Sequence, residues 1–152
     1  MVVLDGGVAH VSRSRTIRAQ PQAIWDVLAD FGAISSWAPG ADHSCLLNAR
    51  AGDPAVGTAR RIQLGRNTLV ERIIEFDPPT ALAYGIEGLP PRLGALANRW
   101  TLRPAGQGTE VTITSTIAGS APLAPLIGRV VGRVLGKSSD EMLAGLASRW
   151  ES

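Results

Sequence analysis

Between His43 and Ile117 the chain falls into short segments of apolar and β-branched residues, each closed by a tight-turn signal. This texture constrains the fold more than any other feature. It predicts six strands: His43–Asn48, Gly57–Leu64, Thr68–Phe76, Ala81–Glu87, Leu96–Arg103 and Thr109–Ile117. The breaks are Ala51-Gly52-Asp53-Pro54, Gly65-Arg66-Asn67, Asp77-Pro78-Pro79, Gly88-Leu89-Pro90-Pro91 and Pro104-Ala105-Gly106-Gln107-Gly108. Each holds the Gly, Pro, Asn or Asp that a tight connection needs. Connections this short join antiparallel neighbours, because a parallel pair needs a much longer crossover.

A further strand precedes this region. Val8 to Arg18 alternates, with Val11 and Ile17 on one face and Ser12, Ser14 and Thr16 on the other. Pro21 then fits the first position of a helix, where its missing N–H costs nothing. Ile24, Trp25, Leu28 and Phe31 follow at helical spacing, and a second brief helical turn ends around Trp37-Ala38-Pro39-Gly40. Trp25 and Trp37 are expected to pack in the interior.

The chain closes with a long helix, from about Pro122 to Trp150. Val131, Leu135, Ser139, Met142, Leu146 and Trp150 form one stripe along it, with Trp150 anchoring its end. Gly128, Gly132 and Gly136 recur every fourth residue, each costing the helix up to ~1 kcal/mol relative to alanine. They admit another backbone closely, or thin the helix over a sheet and leave empty volume, or mark a chain that tolerates poor helix formers. The sum is an α+β fold, a seven-stranded curved antiparallel sheet gripping a long C-terminal helix, with two short helices after the first strand.

With 152 residues, 45% of them hydrophobic, the chain suits one domain with a real core and is not disordered. Residues 8–152 are expected to form that domain and residues 1–7 a flexible N-terminus. Its 15 Lys+Arg exceed 13 Asp+Glu by only two. All the basic residues but Lys137 are arginines, and they are scattered, so no basic stripe points to nucleic acid. The longest apolar stretch, Ile117 to Leu135, is broken by Arg129 and Arg133 and predicts no transmembrane segment. Met1 to Ala9 lack the basic start and apolar run of a secretory signal, and lone Cys45 has no internal disulfide partner. A cytoplasmic location is expected. His10 reads as an exposed strand residue, and two isolated histidines predict no metal site. No G-x-S-x-G elbow, P-loop or dinucleotide fingerprint is present, which removes the common hydrolases and nucleotide enzymes. No cofactor is expected.

Several strings carry a resemblance. They are Thr16-Ile17-Arg18-Ala19-Gln20-Pro21 with Ile24-Trp25, Trp37-Ala38-Pro39-Gly40, Val56-Gly57, Leu69-Val70-Glu71-Arg72, Leu82-Ala83-Tyr84 and Asn98-Arg99-Trp100. In order and spacing, from about Val8 to Trp150, the chain resembles the SRPBCC superfamily. These are the START-like and birch-pollen-allergen-like helix-grip proteins, including the polyketide cyclase/dehydrase and lipid-transport group. The resemblance implies a deep cavity between the sheet and the last helix. It places His43 and Glu71 where plant hormone receptors of this superfamily line that cavity with a basic and an acidic residue. Tyr84 and Arg99 fall at aromatic cavity positions of those receptors, and Thr101 points inward with Arg99. The receptors' longer gating loop is replaced by Gly65-Arg66-Asn67, so no such lid is implied.

Strand alternation adds its own reading. Arg60 shares a face with Ile62 and Leu64, making Arg60 and Ile62 inward candidates. Glu71 shares a face with Leu69 and Ile73, opposite Val70, Ile74 and Phe76. Trp100 and Leu102 read as the buried face of their strand, against the orientation that the resemblance implies. Glu71 is either a polar anchor inside the cavity or a half-exposed residue in a cross-strand pair worth a few tenths of a kcal/mol. Val130, Val131 and Val134 of the final helix complete the expected lining. The leading expectation is a non-enzymatic carrier of a small apolar or amphipathic ligand, such as a lipid, isoprenoid, quinone or polyketide. One alternative is a polyketide cyclase or dehydratase using His43, Tyr84 and Glu71 or Arg99. Another is a regulatory or toxin-type interaction protein. The oligomeric state stays open, a homodimer included.

Overall fold

The computed structural model describes residues 2–5, 8–48, 55–89, 94–118 and 125–151. The turn expected at 51–54 and the expected helix start at 122–124 lie outside them. All seven expected strands are present: β2 (Val8–Ile17), β3 (His43–Leu46), β4 (Ala59–Leu64), β5 (Asn67–Asp77), β6 (Ala81–Glu87), β7 (Ala95–Ala105) and β8 (Gly108–Ala118). An eighth, β1 (Val2–Asp5), runs antiparallel along β2 with Val2 opposite Val11. The expectation of a flexible N-terminus is thereby corrected for these four residues, because β2 would otherwise present an unpaired edge. The sheet order is β1-β2-β8-β7-β6-β5-β4-β3, every pair antiparallel.

Helix α1 (Pro21–Ala29) begins with the proline at its first turn, behind an extended Gln20. It buries Ile24, Trp25 and Leu28. A 3-10 segment, Phe31–Ser36, buries Phe31 and Ile34. It lies close on β3: the Ser44 hydroxyl donates to the Gly32 carbonyl at 2.7 Å and accepts from the Ser35 N–H at 3.0 Å. A Cβ at Gly32 would stand 2.8 Å from Leu46 Cγ, so this contact requires glycine. Helix α2 (Pro125–Ala147) packs over β2 and β8, and the predicted stripe faces inward, with Ser139 and Leu146 buried and Val131, Leu135, Met142 and Trp150 half-buried.

One irregularity escapes the sequence pattern. Ile73 opposes Tyr84 and Glu75 opposes Ala83, so Ile74 is an extra residue in β5 and is exposed. This bulge reverses the alternation after it. Phe76, expected opposite Ile73, instead turns inward onto Trp25, with ring centroids 5.2 Å apart. Trp37 and Trp100 meet edge to face at 5.8 Å in the same core. Each fully buried Ile, Leu or Phe there stabilises the fold by roughly 1.5–3 kcal/mol.

The glycine row has a specific consequence at one position. Gly136 is buried, and a Cβ there would fall on the guanidinium of Arg13 from β2, which also reaches Asp140 at 3.5 Å. The helix is thin here because it accommodates an arginine side chain, an occupant that none of the sequence readings named. Gly145 plays the backbone-approach role instead: its Cβ would strike the Trp37 carbonyl and Pro39.

Candidate functional site

Between α2 and the inner face of the sheet lies a cavity of about 200 Å³. Its wall is mostly apolar: Ile34, Ala38, Pro39 and Ala41 from the first helical region, Ile62 and Leu64 from β4, Leu69 from β5, Ile86 from β6, Leu96 from β7, and Leu135 and Met142 from α2. The polar members are Glu71, Tyr84, Asn98, Ser115, Ser138 and Ser139. Among the described residues, Glu71 and Tyr84 are the only wall residues with an ionisable side chain.

Directly opposed strand residues share a face, so the register explains the polar sector. Arg60 opposes Glu71 and Asn98 opposes both Tyr84 and Ser115, all on the inner side. Glu71 Oε1 accepts from Arg60 Nε at 2.8 Å and stands 2.6 Å from Nη2. Arg60 Nη1 donates to the Phe31 carbonyl at 3.0 Å. The guanidinium lies 3.8 Å from the Phe31 ring centre and 4.6 Å from that of Tyr84, two cation–π contacts that cover a charge only 2% exposed. Trp100 Nε1 donates to the Tyr84 hydroxyl at 3.2 Å, and the Ser115 hydroxyl donates to Asn98 Oδ1 at 2.6 Å. Ser139, on α2, is 1% exposed and its Oγ has no hydrogen-bond partner among the described residues.

Burial pushes the Glu71 carboxyl above its ordinary range, with the Arg60 guanidinium pulling the other way. Burial likewise raises the Tyr84 phenol, reinforced by the Glu71 carboxylate, so Tyr84 is a neutral hydrogen-bonding group at neutral pH. Among the described residues no cluster of His, Cys, Asp or Glu is arranged to hold a metal ion.

The family model for polyketide cyclase/dehydrase and lipid transport matches residues 8–151. The chain belongs to this family. Solved structures agree on the helix-grip architecture. A Thermobifida fusca protein solved by NMR is 25% identical, with a TM-score of 0.77 and coverage of 93% of this chain and 92% of that one. A START superfamily protein from Mycobacterium smegmatis is 16% identical, with a TM-score of 0.76 over 93% and 97% of the two chains. The Zhui aromatase/cyclase from a Streptomyces species is 20% identical, with a TM-score of 0.74 over 95% and 94%. None of the curated proteins matches the chain in sequence.

Of the expected residues, the cavity wall of this family member gathers three, Ile62, Glu71 and Tyr84. Arg60 faces inward as expected but lies behind the wall, covered by the two rings. Six expectations are corrected. His43 is exposed on the outer face, because Ser44 and Leu46 turn inward opposite Ile62 and Arg60. Arg99 and Thr101 also point outward, since alternation with buried Trp100 and Leu102 leaves them no other side. Arg99 pairs there with Glu75 through two contacts of 2.8 and 3.1 Å. Val130 and Val134 are 54% and 63% exposed, on the solvent side of α2. Val131 is half-buried on the stripe but outside the cavity wall, which draws on later turns of the helix.

The residues missed from sequence are Asn98, Ser115 and Ser139. Asn98 had a signal, since it alternates with Trp100 and Leu102. Ser139 had a plainer one, as the only polar residue on the apolar stripe. Ser115 had none beyond alternation with Ile113 and Ile117.

Proposed function

We propose that the chain binds and carries one small, largely apolar ligand in the cavity between α2 and the sheet. The observation that carries this is an open hollow where a core of this kind is normally filled, its wall apolar except for one polar sector. Drug-sized ligands usually occupy ~300–1,000 Å³. At about 200 Å³ the cavity suits a molecule of one or two rings, or the end of a longer one that leaves through the mouth. A cyclase or dehydratase working in this cavity would run on Glu71 and Tyr84, because His43 lies on the other side of the sheet.

Purification without detergent, followed by solvent extraction and mass spectrometry, tests this reading. A stoichiometric small apolar molecule, or uptake of one from a mixed hydrophobic panel, is the expected result. A preparation that neither holds nor takes up any such molecule overturns it. No helix among the described residues is long and apolar enough to cross a membrane, so the assay runs on the whole chain in plain buffer.

A further inference from the structure

The cavity has an electrostatic character that its apolar wall conceals. Arg60, which holds Glu71 from behind the wall, is spent: Nε and Nη2 serve Glu71 Oε1, Nη1 serves the Phe31 carbonyl, and the Phe31 and Tyr84 rings lie against the guanidinium. Among the described residues no Arg, Lys or His belongs to the wall. An acidic ligand would therefore enter a poorly solvated space with no cation among the described wall residues to meet it, and would face a carboxyl group instead.

Two polar groups in the same wall lack hydrogen-bond partners among the described residues, Ser139 Oγ being the fully buried one. Ser139 Oγ, on the helix side, has none, although a helical serine commonly bonds back to the carbonyl four residues earlier. Glu71 Oε2, on the sheet side, has no hydrogen bond among the described residues, since both Arg60 contacts fall on Oε1. A hydroxyl is the group that suits both, because it donates to a carboxyl oxygen and accepts from a serine.

We infer that the ligand of this cavity is an uncharged, hydroxyl-bearing molecule of one or two rings, held at its hydroxyl by Ser139 and Glu71, and that its carboxylate counterpart is rejected. This rests on the cavity-binding reading above and adds the chemistry of the polar end.

Three probes of one skeleton separate the two claims: naphthalene, 2-naphthol and 2-naphthoate, titrated calorimetrically at pH 7 against the whole chain. The expected order places 2-naphthol about tenfold tighter than naphthalene, as for one net hydrogen bond. The naphthoate is expected to be the weakest. In Ser139→Ala the naphthol-to-naphthalene ratio should fall to about two, while the discrimination against naphthoate persists. Naphthoate binding as tightly as naphthol overturns the inference and leaves the cavity reading standing. So does naphthol binding no better than naphthalene, or a ratio that Ser139→Ala does not move. If none of the three binds, the cavity reading fails and the inference falls with it.

Discussion

At the scale of single residues, the Arg60–Glu71 pair decides most. It is a buried salt bridge with side chains 3% and 7% exposed, so removing one partner strands the other's charge. Glu71→Ala is expected to cost about 3–5 kcal/mol, on the order of 10 °C in Tm for a chain of this length. The double variant Arg60→Met/Glu71→Leu should recover most of that loss, since buried pairs replaced together by apolar residues are often neutral. Denaturant titration of the single and double variants checks both; a cost below ~1 kcal/mol for Glu71→Ala would show the pair to be solvated. The low value that sequence reasoning attached to a half-exposed pair fails because the register was legible but the depth was not.

The same residue gives a pH dependence. Burial raises the folded-state pKa of Glu71 above its ordinary 4.5, against the pull of Arg60, so the folded protein keeps that proton to higher pH than the unfolded chain. The stabilising contribution is complete below the unfolded value and fades as pH rises through the folded one. Relative to Glu71→Gln, which cannot ionise, the natural protein should therefore lose stability as pH climbs from 4.5. Chemical denaturation midpoints at a series of pH values measure this, and a constant difference would contradict it.

At the scale of elements, α2 carries two glycines with opposite expected behaviour. At Gly136 a methyl group meets the tip of Arg13, a flexible side chain that can swing away. Gly136→Ala should be near neutral or stabilising by up to ~1 kcal/mol, through helix propensity. At Gly145 the obstacles are the Trp37 carbonyl and the Pro39 ring, so Gly145→Ala should cost ~1–3 kcal/mol by overpacking. Paired unfolding curves for the two variants decide it; equal effects would mean that neither glycine is placed for its neighbour. Elements were also the scale most legible in sequence. Turn residues and alternation marked seven strands, and the stripe from Val131 to Trp150 marked the inner face of α2. Alternation also oriented β7 rightly through Trp100 and Leu102, whereas the resemblance to hormone receptors oriented it wrongly through Arg99. What stayed hidden was the bulge at Ile74, which no periodicity announces because it is a break in periodicity.

At the scale of the whole molecule, the sheet has two unlike edges. β1 lies at one end, and β4 and β5, which bring Arg60 and Glu71, lie near the other. Removing residues 1–7 should lower stability yet leave 2-naphthol affinity within about twofold, because sites this far apart act independently. A tenfold loss of affinity would show that the edges communicate.

The bulge has a larger meaning at this scale. Before Ile74, β5 sends Leu69 and Glu71 into the hollow; after it, β5 sends Phe76 onto Trp25 in the solid core under α1. One unpaired residue acts as a phase shift between two halves of a single interior, one empty and one filled. A substitution at Ile74 keeps those faces, and so does its deletion, because Ile73, Glu75 and Phe76 already oppose the consecutive residues Tyr84, Ala83 and Leu82 without it. This chain should therefore tolerate many letters at position 74, and a gap there as well.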